Sequence, residues 1–152
     1  MHSPGGTIEL SSAHGNIDIH SGGNIDVSAP DIGAHAGELD LSAVEGILIV
    51  NGTLRGTAAP DQDQAVFHAD AQSLGDFAAL NAKLNAGGFT GERAFRQRAG
   101  DVTVGGATAV VAHNVNIAAD QGAILVVKTA DAVGNMIAAV DAHGVDLEGL
   151  QQ

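Results

Sequence analysis

Five carboxylates occupy equivalent positions in a short repeated pattern, and they are the residues whose type and spacing could support chemistry. They are Glu9, Asp18, Asp26, Asp40 and Asp146. Stacked repeats would bring some of them into one ladder, where neighbouring like charges raise each other's pKa or bind a cation. The alternative is that they are solvated and belong to different ladders. The sequence contains no Gly-Gly-x-Gly-x-Asp repeat of the kind that binds Ca²⁺ in solenoid turns, so no metal ligand is predicted.

Other reactive side chains do not form a recognisable site. The chain has no Cys, which excludes thiol chemistry and Cys-ligated metals. Its seven His residues are scattered, with no His-x-x-x-His or His-Glu-x-x-His spacing, and the sequence has no Gly-x-Ser-x-Gly motif. We therefore predict no catalytic, cofactor-binding or metal residues, no cofactor and no enzymatic activity.

Composition narrows the class of protein further. The 152 residues fit one domain. Six basic residues against 18 acidic ones give a net charge of −12, which disfavours nucleic acid and anionic membranes as partners. No stretch is long and apolar enough to be predicted as a membrane span, and the N-terminus shows no signal peptide. Aromatic residues make up only 3% of the chain, which favours a thin core filled by aliphatic side chains.

The elements that would position these carboxylates are short strands. The pattern Gly-x-Φ-x-Φ-small, with Φ for Ile, Leu or Val, recurs at Gly6–Ser11, Gly15–His20, Gly23–Ser28, Gly37–Ser42 and Gly46–Asn51. Alternation of apolar and polar residues predicts half-buried strands, and repetition predicts a solenoid whose coils share one core. Glycines between the copies are expected at tight bends or at positive φ. We predict an all-β fold, a right-handed parallel β-helix.

The repeat spacing predicts which strands stack. Ile17 precedes Leu39 by 22 residues and Ile25 precedes Leu48 by 23. Later in the chain, Val102 precedes Ile124 by 22 residues and Ile124 precedes Val145 by 21. We therefore expect a coil of about 22 residues in a single domain, 1–152. Its predicted parts are N-terminal coils at 5–56, an irregular insert at 57–98 and C-terminal coils at 99–149, with residues 129–142 ambiguous between strand and helix.

The insert is predicted to contain the one short α-helix, near residues 73–86. Ser73 and Asp76 have capping-box spacing, Phe77, Leu80 and Leu84 form an apolar stripe, and Gly87-Gly88 ends the helix. We interpret the helix as a lid on the side of the solenoid. A strand at 65–71 could precede it. The segment 91–98, with three Arg, is interpreted either as an anion site or as Arg side chains that neutralise the acidic surface.

Several stretches of the chain resemble the β-helix repeat region of filamentous-haemagglutinin-type large exoproteins, which are two-partner secretion passengers. They are the run from Gly5 to Gly56, the segment Ser73 to Asn81 followed by Leu84 to Thr90, and the later copies Gly100–Val104 and His113–Asp120. This resemblance implies export through an outer-membrane transporter and a secreted or bacterial cell-surface location. It implies a structural or adhesive shaft, with a host or neighbouring-cell receptor or glycan as partner. It carries over no catalytic residue.

Three functional interpretations are consistent with these sequence features. The first is a shaft segment whose open solenoid ends associate with another copy, giving extracellular fibres. The alternative is a glycan-binding or polysaccharide-degrading β-helix module, which would need two carboxylates in a groove or exposed aromatic rings. A cation-stabilised module is a third interpretation.

Overall fold

The computed structural model describes residues 5–105, 109–127, 140–142, 145–148 and 150–151. These residues are mostly strands, with one short helix between the sixth and seventh strands. The elements are β1 (Thr7–Ser12), β2 (Ile17–Ile19), β3 (Asn24–Asp26), β4 (Glu38–Val50), β5 (Thr53–Arg55), β6 (Val66–Ser73), α1 (Phe77–Gly87), β7 (Glu92–Gln97), β8 (Val102–Gly105), β9 (Val110–Ala112), β10 (Asn114–Ala119), β11 (Ile124–Val127), β12 (Val140–Ala142), β13 (Val145–Glu148) and β14 (Leu150–Gln151).

Every strand pair within the described ranges is parallel. The largest sheet has the order β1-β4-β6-β7-β10-β13, and β2 also pairs with β4. Three smaller sheets have the orders β3-β5, β8-β11-β14 and β9-β12. None of these sheets closes on itself. The predicted strands are thus confirmed as parallel strands in open sheets, with one short helix.

The segment 57–98 contains two strands in addition to the helix. It contains β6 and β7, which lie in the middle of the largest sheet. The strand expected at 65–71 is β6, and Phe67, Ala69 and Ala71 are all buried, as the alternation predicted. The polar loop before β6 and the helix after it therefore interrupt the pattern in the sequence without interrupting the sheet.

The predicted strand partners in the N-terminal half were wrong. Ile17 lies opposite Leu48 rather than Leu39, and Ile25 lies opposite Leu54 rather than Leu48. The paired residues are 31 and 29 positions apart. β1 and β2 pair with the first and second halves of β4, and β3 pairs with β5, so each segment pairs with the third segment after it. The long connection through residues 27–37 adds the extra residues. Because the copies of the repeat have similar sequences, they did not indicate whether a segment pairs with the second or the third segment after it.

The C-terminal partners agree with the prediction in one case and differ in the other. Val102 lies opposite Ile124, 22 positions later, as predicted. Ile124 lies opposite Leu150, whereas Val145 lies opposite Val115. Of the ambiguous stretch 129–142, the strand β12 covers 140–142, and the prediction for 129–139 lies outside the described residues.

Strand β4 turns a corner, and glycine makes that corner possible. Its first half pairs with β1, its second half pairs with β2, and its register on β6 shifts between Ala43 and Ile47. The Asn16 side chain accepts a hydrogen bond from the Ile47 N–H at 2.8 Å. A Cβ on Gly46 would overlap the carbonyl oxygen of Gly15. The repeat glycine here is required by close backbone approach, because Gly46 does not have positive φ.

Helix α1 begins later than predicted, because Asp76 is its N-cap. The Asp76 side chain accepts a hydrogen bond from the Ala79 N–H at 3.0 Å, and Ser73 still belongs to β6. At the other end, Gly88 has φ of 81° and its N–H closes the last turn. The predicted stripe of Phe77, Leu80 and Leu84 is buried.

The helix belongs to the core and is more than a lid. It contacts both β5 and β8, two strands that lie in different sheets and do not pair with each other. The Gly56 N–H donates a hydrogen bond to the carbonyl of Gly87, at the end of the helix, at 2.7 Å. Its buried side chains join the same apolar cluster as those of the strands. Within the described residues, the helix therefore contacts two sheets that share no strand pair.

The core consists of inward rows that cross the largest sheet. One row contains Ile8, Leu39, Phe67, Arg93 and Val115, and a second contains Leu10, Leu41, Ala69, Phe95 and Ile117. The prediction that alternate Ile, Leu and Val residues point inward is confirmed for these strands. The expectation that aliphatic side chains alone fill the core was wrong, because all four Phe residues of the chain belong to it.

Candidate functional site

A polar cluster lies on the outward face of the largest sheet, where three adjacent strands meet. His68 is directly opposite Asp40 on the neighbouring strand β4. Its Nδ1 atom lies 3.0 Å from Glu38 Oε1 and 3.0 Å from Asp40 Oδ1. Its Nε2 atom lies 3.1 Å from Glu92 Oε1, on the strand β7 at its other side. We call Glu38, Asp40, His68 and Glu92 the outer cluster.

Local strand geometry brings these four side chains together. Glu38 and Asp40 are two positions apart on β4, so both point to the same face of the sheet. Glu38 and Glu92 are both paired with Val66, two positions before His68, so they reach the imidazole diagonally from the two neighbouring strands. All four side chains are partly exposed, at 30–42%.

The electrostatics of the outer cluster are dominated by the carboxylates. Two causes raise the pKa of Glu38: partial burial is the larger, and the nearby carboxyl of Asp40 is the second. The Oδ1 atom of Asp40 is buried and accepts no hydrogen bond of good geometry. Three carboxylates around one imidazole leave an excess of negative charge, which a cation would offset.

The ladder expected from the five repeated carboxylates forms only in part. Glu9 lies directly opposite Asp40, so these two share one outward row. Asp146 lies opposite Asn116 at the far end of that row. Asp18 and Asp26 lie elsewhere, opposite Ile49 and Arg55. The interpretation of separate ladders is thus correct for Asp18 and Asp26 and wrong for Glu9, Asp40 and Asp146, which share one row.

The remaining members of the outer cluster were missed from the sequence. Glu38, His68 and Glu92 were not grouped, because they are 24 to 54 positions apart and belong to three different strands. The only available signal was the strand register, since aligning Leu39 with Phe67 places Asp40 beside His68. A period of about 22 residues could not give that alignment.

The three Arg residues of the segment 91–98 have different surroundings. Arg98 makes two hydrogen bonds of 2.7 Å to the carboxylate of Asp70, which lower the pKa of that carboxyl. Arg96 pairs with Asp120 at 3.0 Å. These two fit the interpretation of neutralising side chains. Arg93 does not, because it is fully buried.

Arg93 is a buried cation held by neutral partners. Its Nε donates to the carbonyl of Phe89 at 2.7 Å and its Nη1 donates to Asn81 Oδ1 at 3.1 Å, which joins β7 to helix α1. Its Nη2 is buried and has no hydrogen-bond partner. Burial lowers the pKa of this guanidinium to about 10, so it stays charged at neutral pH. Its contacts with the helix indicate a structural role.

A shallow groove of about 700 Å³ runs beside the outer cluster. The loop 60–64 and residues 111–114, where β9 leads into β10, form its walls, and Asp61, Asp63 and Glu92 contribute carboxylates. None of the four Phe residues lines it. The groove therefore offers negative charge and hydrogen bonds, without an aromatic ring on which a sugar could stack.

The two edges of the largest sheet form a second candidate surface. Within the described ranges, β1 pairs only with β4 and β13 pairs only with β10, so each has one unpaired edge. At the β1 edge the inward residue Leu10 is 38% exposed, while its row partner Leu41 is 2% exposed. The β1 edge thus presents unpaired backbone groups next to apolar side chains, which is the arrangement that accepts a further strand.

The helix of the described chain is 11 residues long, and no described helix has the length and apolar character needed to cross a membrane. No protein-family model, curated protein or solved structure matches this chain. The resemblance to filamentous-haemagglutinin-type exoproteins therefore stays a prediction.

Proposed function

We propose that this chain is a structural or adhesive shaft segment, built as a right-handed parallel β-helix, of a secreted or cell-surface exoprotein. We further propose that copies associate end to end, with the β1 edge of one copy against the β13 edge of the next. The observation that carries the proposal is the uncovered β1 edge, with Leu10 exposed beside it.

The strand arrangement supports the solenoid part of this proposal. All described pairs are parallel, and inward rows such as Leu10, Leu41, Ala69 and Phe95 continue from strand to strand. Parallel strands that follow one another through the chain, each on its predecessor, are the arrangement of a β-helix. The resemblance to large exoproteins supports a bacterial surface or secreted location and an outer-membrane transporter as partner.

The two edges support end-to-end association because they are different from each other. A contact between unlike surfaces is heterologous, and it generates an open filament unless the rotation closes a ring. The excess of negative charge keeps such an elongated protein soluble, and it weakens association at low salt. We therefore expect assembly to increase with protein concentration and with salt.

The test is sedimentation velocity and negative-stain microscopy of the full chain over a range of concentrations. We expect linear oligomers of the wild type. Leu10→Lys places a charge at the inward position of the β1 edge and should abolish them, because inward charges block edge pairing. Thr7→Lys, on the outward face of the same strand, is the matched control and should still assemble.

Monomers of the wild type at every concentration would contradict end-to-end assembly. Oligomers that persist in Leu10→Lys would contradict the β1 edge as the contact. Circular dichroism of both variants establishes that they remain folded.

The glycan-binding or polysaccharide-degrading alternative would have to use the acidic groove. Asp61, Asp63 and Glu92 supply carboxylates there, but the absence of Phe from its lining argues against sugar stacking. Incubation with acidic and neutral polysaccharides, followed by reducing-end assay, tests this alternative; release of reducing ends that Glu92→Gln abolishes would favour it over a purely structural role.

A further inference from the structure

The outer cluster brings together three atoms that could each coordinate a metal ion. Three potential ligand atoms, Glu38 Oε1, Asp40 Oδ1 and His68 Nδ1, converge within 4.8 Å of one another. Two of them are carboxylate oxygens, which only accept hydrogen bonds. The third is an imidazole nitrogen at 3.0 Å from both oxygens.

The second nitrogen of His68 is contacted from the opposite side. Nε2 lies 3.1 Å from Glu92 Oε1, whereas Nδ1 faces Glu38 and Asp40. In the tautomer that donates from Nε2 to Glu92, the Nδ1 lone pair points at the same space as the two carboxylate oxygens and is available to a metal ion.

The surroundings of Asp40 provide a second observation. Its Oδ1 atom is buried and has no hydrogen-bond partner of good geometry, although it lies 3.0 Å from His68 Nδ1. A metal ion would interact with all three ligand atoms at once, and it would satisfy Asp40 Oδ1 without a directed hydrogen bond.

We propose that Glu38, Asp40 and His68 bind one divalent metal ion of the Zn²⁺ type, and that Glu92 orients the His68 imidazole. A mixed set of one imidazole nitrogen and two carboxylate oxygens suits Zn²⁺ and its neighbours in the first transition row better than Ca²⁺ or Mg²⁺. Bonds of about 2.0–2.1 Å in a tetrahedron separate the ligand atoms by about 3.3 Å, close to the observed 3.0 Å from Nδ1 to each oxygen.

The surroundings fit this role. The contact between His68 Nε2 and Glu92 is the carboxylate–histidine–metal arrangement, which fixes the tautomer of a ligating imidazole. Glu9, opposite Asp40, adds negative charge to the same row. A shallow depression of about 370 Å³, lined partly by Glu9, Asp40 and His68, gives an ion access from solvent.

A metal ion at this point would join β4 to β6, two strands from successive turns of the chain. Because the ion binds the folded arrangement of ligands, it should stabilise the fold, and the stabilisation should rise with the logarithm of ion concentration above the Kd. This inference does not depend on the shaft proposal, since it concerns the outward face and not the sheet edges.

The experiment uses the full chain after chelator treatment and dialysis, titrated with ZnCl₂ by calorimetry and followed by thermal melting. We expect one ion per chain and a higher melting temperature with Zn²⁺. His68→Gln and Asp40→Asn should each weaken binding at least about 100-fold, and Glu92→Gln about 10-fold, as for residues that orient a ligand.

His14→Gln is the matched control, because His14 also contacts a carboxylate, Glu45, at 2.6 Å, but on an exposed part of the surface. It should bind Zn²⁺ like the wild type. Equal melting temperatures of all variants in chelator would show that they remain folded. The proposal is overturned if wild-type protein binds no Zn²⁺, or if His68→Gln and Asp40→Asn bind as tightly as the His14→Gln control.

Discussion

The N-terminal strands and the middle of the chain fill the same inward rows in different ways. In the row that starts at Leu10, the N-terminal positions are Leu10 and Leu41, whereas the middle positions are Ala69 and Phe95. Leu10 is 38% exposed and Phe95 is 1% exposed. The first region is a thin aliphatic layer at an open edge, and the second is a thick aromatic core next to a helix.

The difference has a geometric cause. Where strands follow one another closely, the glycines let backbones approach and aliphatic pairs fill the narrow interior. Where helix α1 enters, it adds width, and the four Phe residues and Arg93 occupy the space. Phe95 lies 4.8 Å from Phe77 of the helix and 5.7 Å from Phe67 of β6, between ring centroids. Where a helix packs against the sheets of this protein, the core requires larger side chains than where strands alone enclose it.

The largest effect is predicted for truncation of the ring at the centre of the thick core. Phe95→Ala should lower the free energy of unfolding by about 3–5 kcal/mol, because it leaves a cavity among packed rings. Leu10→Ala, in the same row at the open edge, should cost about 1 kcal/mol or less, since that side chain is already partly in water. Urea denaturation of both variants measures the difference. Equal losses would mean that the N-terminal edge is as well packed as the centre.

The next largest effect is predicted for the buried arginine. Arg93→Ala removes the hydrogen bonds to Phe89 and Asn81 and leaves a cavity, so it should cost about 3 kcal/mol. Arg93→Met keeps most of the volume without the buried charge and should cost less. Arg96→Ala, at an exposed guanidinium, is the control and should cost no more than about 1 kcal/mol. Chemical denaturation measures the free energy of unfolding of each variant. If Arg93→Ala lost no more stability than Arg96→Ala, Arg93 would not contribute to the stability of the core.

An intermediate effect is predicted in the thin N-terminal region, where backbone approach replaces side-chain packing. Gly46→Ala should cost about 1–3 kcal/mol, because its methyl group would overlap the Gly15 carbonyl and force the corner of β4 apart. Gly22→Ala is the control, since a methyl group there meets no atom within 4 Å. Thermal melting of the two variants should separate them clearly. A Gly22→Ala variant that is as unstable as Gly46→Ala would contradict close approach as the reason for glycine.

The smallest effect is predicted on the outside of the thick region. The Asp70–Arg98 pair is well aligned but partly exposed, so Asp70→Asn should cost about 0.5–1 kcal/mol. A double-mutant cycle with Arg98→Gln isolates the pair from the effect of each residue alone. A coupling energy as large as the loss of stability in Phe95→Ala would mean that this surface ion pair stabilises the region as much as its buried aromatic ring does.

Strand faces were predictable because alternation is a local property. In Gly37–Ser42 each apolar residue is separated by one polar residue, and Leu39 and Leu41 are buried as that pattern requires. The helix was predictable for the same reason, since Phe77, Leu80 and Leu84 recur at helical spacing. Its start was misplaced because Ser73 and Asp76 are both good caps, and only the extent of β6 decided between them.

Patterns of neighbouring residues were enough to predict the strands of the repeat copies, their inward faces and the helix of the described chain, because these depend on residues within a few positions. They did not predict β7, whose inward positions hold Arg93, Phe95 and Gln97 in place of an aliphatic pair. Strand pairing required the tertiary structure, since the copies of the repeat are alike and the length of the connection 27–37 sets the register. The outer cluster depends on that register: Glu38, Asp40, His68 and Glu92 meet because β4, β6 and β7 are adjacent. The five carboxylates that first suggested chemistry were equivalent in the sequence, but pairing placed only Asp40 beside a histidine on the neighbouring strand.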